Sequence, residues 1–385
     1  MRIPLSSPDI SERDIDAVTA VLRTSNLSMG PKVRDFENAI ADYVGASHAV
    51  AVSSGTGGLH LCIRALNISA GDEVIVPSFA FIAVANAVRY ENATPVFVDI
   101  DRQTLNLDPA LVEAAITSRT RAIIVVHTFG IPANLSGILE IARRHGPYVV
   151  EDACEAIGAE YQGRKVGVLG DVGVFAFYPN KQITTGEGGA VVTSSAEIAI
   201  KIRKLRNQGR DDSEAWLQHS ELGYNYRISD ISCALGISQL KRIESILERR
   251  ESIAATYREI LSRETDLILP PIIFPNRKIS WFVYVIRLDT RHNSFDRDRI
   301  VCEMKTRGIS LGRYFAPIHL QPIYQMCSRR TNLPVTESVA SRSLALPFFN
   351  RISINQIYEV CEVLIELIRI TEPTITDQSH SSAAG

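Results

Sequence analysis

Five short apolar runs between residues 48 and 152 constrain this chain more than any other feature. They are His48 to Val52, Glu73 to Val76, Pro95 to Asp99, Ala122 to Val126 and Tyr148 to Val150. Each is too short for a helix and rich in β-branched residues, and each stops at a polar residue or a proline. Between them the spacing predicts helices over about 80–90, 109–116 and 135–145. A strand that is apolar on both faces needs cover on both faces. Strands alternating with helices supply it only as a parallel α/β sheet with helices on either side. In such sheets ligands sit beyond the carboxyl ends of the strands. The positions to inspect are therefore Ser53 to Gly57, Pro77 to Phe81, His127, Asp152 and Lys181.

The flanking segments complete the outline. Residues 11–24 read as an amphipathic helix with Ile15, Val18, Val21 and Leu22 on its inner face and Ser11/Asp14 as its cap. Residues 31–44 read as a second helix, opened by Pro31. The charged stretch 194–213 reads as a solvated helix and its exit, and 228–263 as a helical connection. Strands at 267–269 and 281–288 and helices at about 295–307 and 352–370 make a small α+β unit. The expected division is a large domain over 1–244, a small C-terminal domain over 245–372 and a flexible tail over 373–385.

Composition excludes several classes. The net charge of −2 over 385 residues gives no electrostatic grip on nucleic acid or an anionic membrane. No apolar run approaches the roughly 20 residues that span a bilayer, and the N-terminus lacks a signal-peptide core. Six scattered cysteines with no CxxC or Cys/His metal spacing point to a reduced, cytoplasmic protein without a metal site.

Chemistry enters at the strand ends. Lys181 follows the run Phe175 to Tyr178 and precedes the turn Gly186 to Gly189. A lysine partly withdrawn from water there is poised as a Schiff-base amine; by residues alone it also fits a surface loop. Ser53 to Gly58 links a strand to a helix and fits either a phosphate cup or a tightly packed turn. Asp152 ends its own strand, and a carboxylate buried there needs a cationic partner. The protonated ring nitrogen of pyridoxal phosphate is such a partner. A lysine, a carboxylate, a phosphate cup and a stacking aromatic at strand ends together favour that cofactor. His127, after an apolar strand, fits a satisfied structural histidine better than a catalyst.

The chain resembles the DegT/DnrJ/EryC1/StrS sugar aminotransferases over about residues 3–370. The resemblance rests on Ser28 to Pro31 with Phe36-Glu37, Val52 to Thr56, Pro77 to Phe81, Glu151 to Ala153, Asn180 to Gly189 and Gly223 to Arg227. It implies fold-type I, the aspartate aminotransferase fold, and a homodimer with shared active sites. Lys181 matches the lysine that carries the cofactor and moves protons. Asp152 matches the partner of the ring nitrogen, and Phe81 the ring-stacking residue. Gly55, Thr56 and Gly57 match the phosphate loop. Asn225 matches a residue that reaches the phosphate from the other subunit, and Arg227 in the same motif supports the interface or meets substrate. Arg313, Tyr314 and His319 lie in the segment that approaches the sugar in relatives.

Two positions depart from the family. Glu155 stands where many relatives have Gln or His beside the ring hydroxyl, so it is expected either to hold a proton or to point away. Ala176 stands where many have a phosphate-binding serine, which weakens the expected grip on the cofactor. The implied reaction moves an amino group from an amino acid, L-glutamate, to a nucleotide-linked 4-keto-6-deoxyhexose or its 3-keto isomer. The run from Ile183 to Gly189 leans toward the perosamine-synthase side. A non-catalytic cofactor-binding scaffold and a cyclitol-ketone aminotransferase are the alternatives.

Overall fold

The computed structural model describes residues 2–211, 218–272, 275–325 and 332–371. Seven strands form the central sheet: β1 (His48–Val52), β2 (Glu73–Pro77), β3 (Thr94–Val98), β4 (Thr120–Val126), β5 (Tyr148–Asp152), β8 (Val172–Ala176) and β9 (Gly189–Thr193). The short strands β6 (Glu160–Tyr161) and β7 (Arg164–Lys165) form a hairpin between β5 and β8. The order across the large sheet is β1-β9-β8-β5-β4-β2-β3.

Neighbours in the sheet are parallel except at β9, which runs against both β1 and β8. The cause is local. No crossover helix separates β8 from β9, so the chain can only turn back. That turn, residues 177–188, carries Lys181 to the edge where the parallel strands end.

The period of two along each strand divides the interior. Ile75, Ile123, Val125 and Val149 pack with Phe36, Ile40, Leu135 and Ile138 on one face. Val74, Val76, Ile124, Val150 and Val174 pack with Leu59, Ile63 and Val84 on the other. Both faces are dry, as the apolar runs required. A third core gathers Ile253, Tyr257, Tyr284, Ile286, Leu344 and Leu364, together with Ile3 from the other end of the chain. Its sheet orders β10 (Leu267–Ile268), β12 (Tyr284–Leu288) and β13 (Ser343–Leu346); β11 (Arg277–Lys278) instead joins the hairpin at β6.

Two local expectations change. Helix α1 (Glu12–Leu22) buries Val21 but leaves Ile15 and Leu22 about half exposed. Asp14 is the buried side instead: it accepts from Ser11 N–H at 2.8 Å, Gln239 at 2.8 Å and Arg242 at 3.0 Å, and these bonds fix the helix's rotation. The strand expected from 281 begins at Tyr284. The carbonyls of Trp281 and Phe282 accept from the buried Arg250 guanidinium at 2.7 and 2.8 Å, which takes them off the ladder. The expected tail, 373–385, lies outside the described residues. Among those described, no helix is long and apolar enough to cross a membrane.

Candidate active site

The floor of the site is the end of β5. Alternation along the strand sends Glu151 and Asp152 to opposite faces. Glu151 is fully buried and accepts four bonds, from His127 Nε2 at 3.0 Å and from the amides of Gly167, Leu169 and Gly170 at 2.6–2.7 Å. Burial alone would raise its pKa; His127 and the amides hold it below its ordinary 4.5. His127 Nδ1 accepts from Ala133 N–H at 3.1 Å, so both ring nitrogens are used. The histidine is a structural pin, as its position after an apolar strand suggested. Asp152 faces the opposite way into a cavity of about 480 Å3 and accepts the Cys154 amide at 3.0 Å.

The β8–β9 turn builds the opposite wall. The amides of Lys181 and Thr185 donate to Tyr178 O and Phe177 O at 2.9 and 3.0 Å. Gly186 takes φ +81°, a conformation costly for any residue with a Cβ. Gln182 donates to Glu155 O and Ser280 O at 2.8 and 3.1 Å, which locks the turn to neighbouring segments. Lys181 is thereby aimed inward: its Nζ lies 4.0 Å from the centre of the Phe282 ring and 3.6 Å from Glu155 Oε1. Its side chain is 13% exposed.

Glu155 takes the inward disposition. Its Oε2 accepts from Phe129 N–H at 2.9 Å. Burial raises its pKa; Lys181 and the Phe129 amide oppose the rise and Asp152 adds to it.

Helix α3 (Gly55–Ala65) begins at the cavity. Ser54 Oγ caps it by accepting Gly57 N–H at 3.0 Å, so Gly57 serves the cap and does not line the cavity. Ser54, Gly55 and Thr56 do line it. A Cβ at Gly55 would fall 2.7 Å from Ala176 Cβ and 2.9 Å from Cys154 Sγ, so only glycine fits. Ala176 thus stands against the helix N-terminus, where an anion is favoured. Ala176→Ser is expected to tighten cofactor binding by about tenfold, the worth of one added hydrogen bond to a charged group. Equilibrium dialysis of the cofactor would read this, and an unchanged dissociation constant would sink it.

Aromatics close the rest. Phe81 lines the cavity yet is 61% exposed, an apolar ring in want of cover. Tyr314 and Phe315 line it too, stacked on Phe282 and Phe129 with interplanar angles of 10° and 22°.

Other expected residues lie apart from this cavity. Asn225 is exposed and Arg227 donates to Asn207 Oδ1 at 3.0 Å in its own chain. The flanking Tyr224 and Tyr226 explain the outward aim of Asn225: they stack at 5.2 Å and bond to Glu91 and His60. Arg313 pairs with Asp298 at 3.1 Å and lines a separate cavity with Arg297 and Pro317. His319 is buried, 2.6 Å from Ser78 Oγ and 3.3 Å from Glu337, where it ties its segment to the end of β2. Sequence reasoning missed Asn180, Cys154, Phe282 and Phe315 as lining residues. Asn180 was visible as the neighbour of Lys181; Phe282 came only with the Arg250 anchor.

The lining fits pyridoxal phosphate. Asp152 keeps acceptor capacity for a ring N–H, α3 begins at the cavity wall, Phe81 offers an uncovered face, and Asn180 Oδ1 is buried with no partner among the described residues. Lysine, carboxylate and helix terminus converging on one cavity define a class, the pyridoxal phosphate-dependent enzymes.

Comparison with known proteins agrees. Residues 8–365 match the model of the DegT/DnrJ/EryC1/StrS aminotransferase family. The chain is 40% identical over 348 residues to GDP-perosamine synthase of Caulobacter vibrioides, covering 90% of this chain and 93% of that one. It is 36% identical to the spore coat polysaccharide biosynthesis protein SpsC of Bacillus subtilis, covering 95% and 97%. S. venezuelae DesV, solved with a ketimine intermediate, superposes with a TM-score of 0.89 at 35% identity, covering 96% and 100%. The chain belongs to the DegT/DnrJ/EryC1/StrS aminotransferase family. It has the α/β fold of the pyridoxal phosphate-dependent sugar aminotransferases, and pyridoxal phosphate is its cofactor.

Proposed function

We propose that this enzyme transfers an amino group from L-glutamate to a nucleotide-linked 4-keto-6-deoxyhexose, or its 3-keto isomer, in amino-sugar and polysaccharide biosynthesis. The observation that carries the reading is Lys181 Nζ, held inward by Glu155 and Phe282 in the cavity floored by Asp152. Likeness to GDP-perosamine synthase supports the nucleotide-sugar class and amination at C4.

Bound there, the cofactor would supply an electron sink for bond-breaking at the donor's α-carbon and a carrier for the amine between the two half-reactions. Each residue has a separate task. The Asp152 carboxylate keeps the ring nitrogen protonated. Phe81 covers one ring face. Gly55 and Thr56, at the start of α3, hold the phosphate. Lys181 Nζ, once displaced by the donor's amine, would carry a proton from the donor's α-carbon to the cofactor's carbonyl carbon, and in the second half-reaction from there to the sugar carbon that gains the amine. Tyr314 and Phe315 exclude water. Asn225, exposed in its own chain, reaches the phosphate of the partner in a cytoplasmic homodimer. Gly57, Arg227, Arg313 and His319 act at one remove by capping, bracing and tethering. The division at residues 244 and 372 belongs to the same reading; the separate core beyond residue 253 supports it, with Ile3 as a clasp across it.

Absorbance of the holoenzyme tests the reading. L-glutamate should bleach the cofactor band, and a nucleotide-linked keto-sugar should restore it. A band indifferent to every amino donor would make the protein a scaffold. Restoration by a cyclitol ketone alone would move the substrate class.

A further inference from the structure

Glu155 carries a feature that the reaction above does not use. Its carboxyl is in the cofactor cavity, buried, and among the described residues it meets the Phe129 amide and, at 3.6 Å, the Lys181 ammonium. The titratable groups around it come from every neighbouring segment. Asp152 and Cys154 lie on the chain just before it, Lys181 is on the β8–β9 turn, and Tyr314 is on the wall above. Only Lys181 among these is a cation, so Lys181 alone offsets the charge of an ionised Glu155.

Loading the cofactor changes that balance. The Lys181 nitrogen forms a C=N bond to the cofactor's carbonyl carbon, and the carbonyl oxygen leaves as water with two of the ammonium protons. The third proton stays between that nitrogen and the ring oxygen on the adjacent ring carbon, which enters as an anion. Glu155 Oε1, 3.6 Å from the free Lys181 nitrogen, would then face a nitrogen whose charge the ring oxygen anion already offsets, with that anion close by. Two anions that close cannot both remain ionised out of water.

We propose that Glu155 is the proton store of the cofactor cavity: ionised while Lys181 stands free as an ammonium, and protonated from solvent once the Lys181 nitrogen is bonded to the cofactor. The neutral carboxyl then donates to the ring oxygen, the part that an uncharged side chain would play there. Burial already biases the group toward its protonated form.

The proposal rests on the cofactor site but not on the sugar, because loading needs neither amino donor nor keto-sugar. A failed keto-sugar assay leaves it standing, and its own failure leaves the keto-sugar assay standing. Pyridoxal phosphate is added to apoenzyme in weak buffer at mildly alkaline pH, and proton uptake is recorded for the wild type and for Glu155→Gln. The wild type is expected to take up about one proton more per site than the variant; equal uptake overturns the proposal. Should Glu155→Gln fail to load, as judged by its cofactor absorbance, infrared difference spectra of the wild type decide. With isotope-labelled glutamate, loading should convert one glutamate carboxylate band into a carboxylic acid band. An unchanged carboxylate band overturns the proposal.

Discussion

Replacing Lys181 with alanine is expected to lower turnover by at least about a thousandfold, with the fold intact. Two losses combine. The variant has no amine to carry the cofactor, and no base at the donor's α-carbon. The fold should survive because the side chain supports little of it. The turn is held by the backbone bonds of Lys181 and Thr185 and by the Gln182 side chain. Among the described residues the Lys181 amine lies over the Phe282 face and, at 3.6 Å, beside Glu155. Losing the ammonium leaves Glu155 free to neutralise by taking a proton. The checks are steady-state rates, the thermal midpoint, and the mass added after borohydride reduction. Appreciable turnover, or an adduct still covalently fixed in the variant, would remove Lys181 from its role.

The second large effect is on stability and lies on the far side of the same strand. Glu151→Gln should destabilise the protein by about 3–5 kcal/mol at neutral pH. Glutamine keeps the volume but turns an N–H group toward donors that in the wild type meet a carboxylate oxygen. The His127 ring and the amides of Gly167, Leu169 and Gly170 cannot all be satisfied by one carbonyl oxygen. The pH dependence follows from the sign of the shift. The folded-state pKa of Glu151 is below its ordinary 4.5, so its contribution is present in full above that value. It is lost as pH falls through the lower, folded-state value. Denaturant unfolding across acidic pH should therefore show the wild type losing an increment of stability that Glu151→Gln never had. Parallel curves for the two proteins would mean that Glu151 does not carry the charge ascribed to it.

Particular residues mark how far the sequence could be read. The strand ends were legible because apolar runs stop where the sheet stops. Asp152, Lys181, Thr56 and Phe81 follow from that, and all line one cavity. Helix spans were legible to within a few residues, but their rotation was not: Ile15 and Leu22 form an apolar stripe that Asp14 and its partners turn outward. His319 and Asn180 show the same limit at the site. Adjacency puts Asn180 beside Lys181, whereas the side-chain direction of His319 depends on Ser78, 241 positions away in the chain.

The mostly parallel sheet, its dry faces and the edge at which chemistry gathers are legible in the sequence, because the period of apolar residues and the stops between them are local properties. Only the tertiary structure decided what each group at that edge meets. It set Glu151 on four donors and Glu155 on a lysine, brought Phe282 over the amine by way of Arg250, and put Ala176 against Gly55. These are contacts between segments far apart along the chain. Which contacts form depends on how the folded layers pack, and no periodicity in the sequence encodes that.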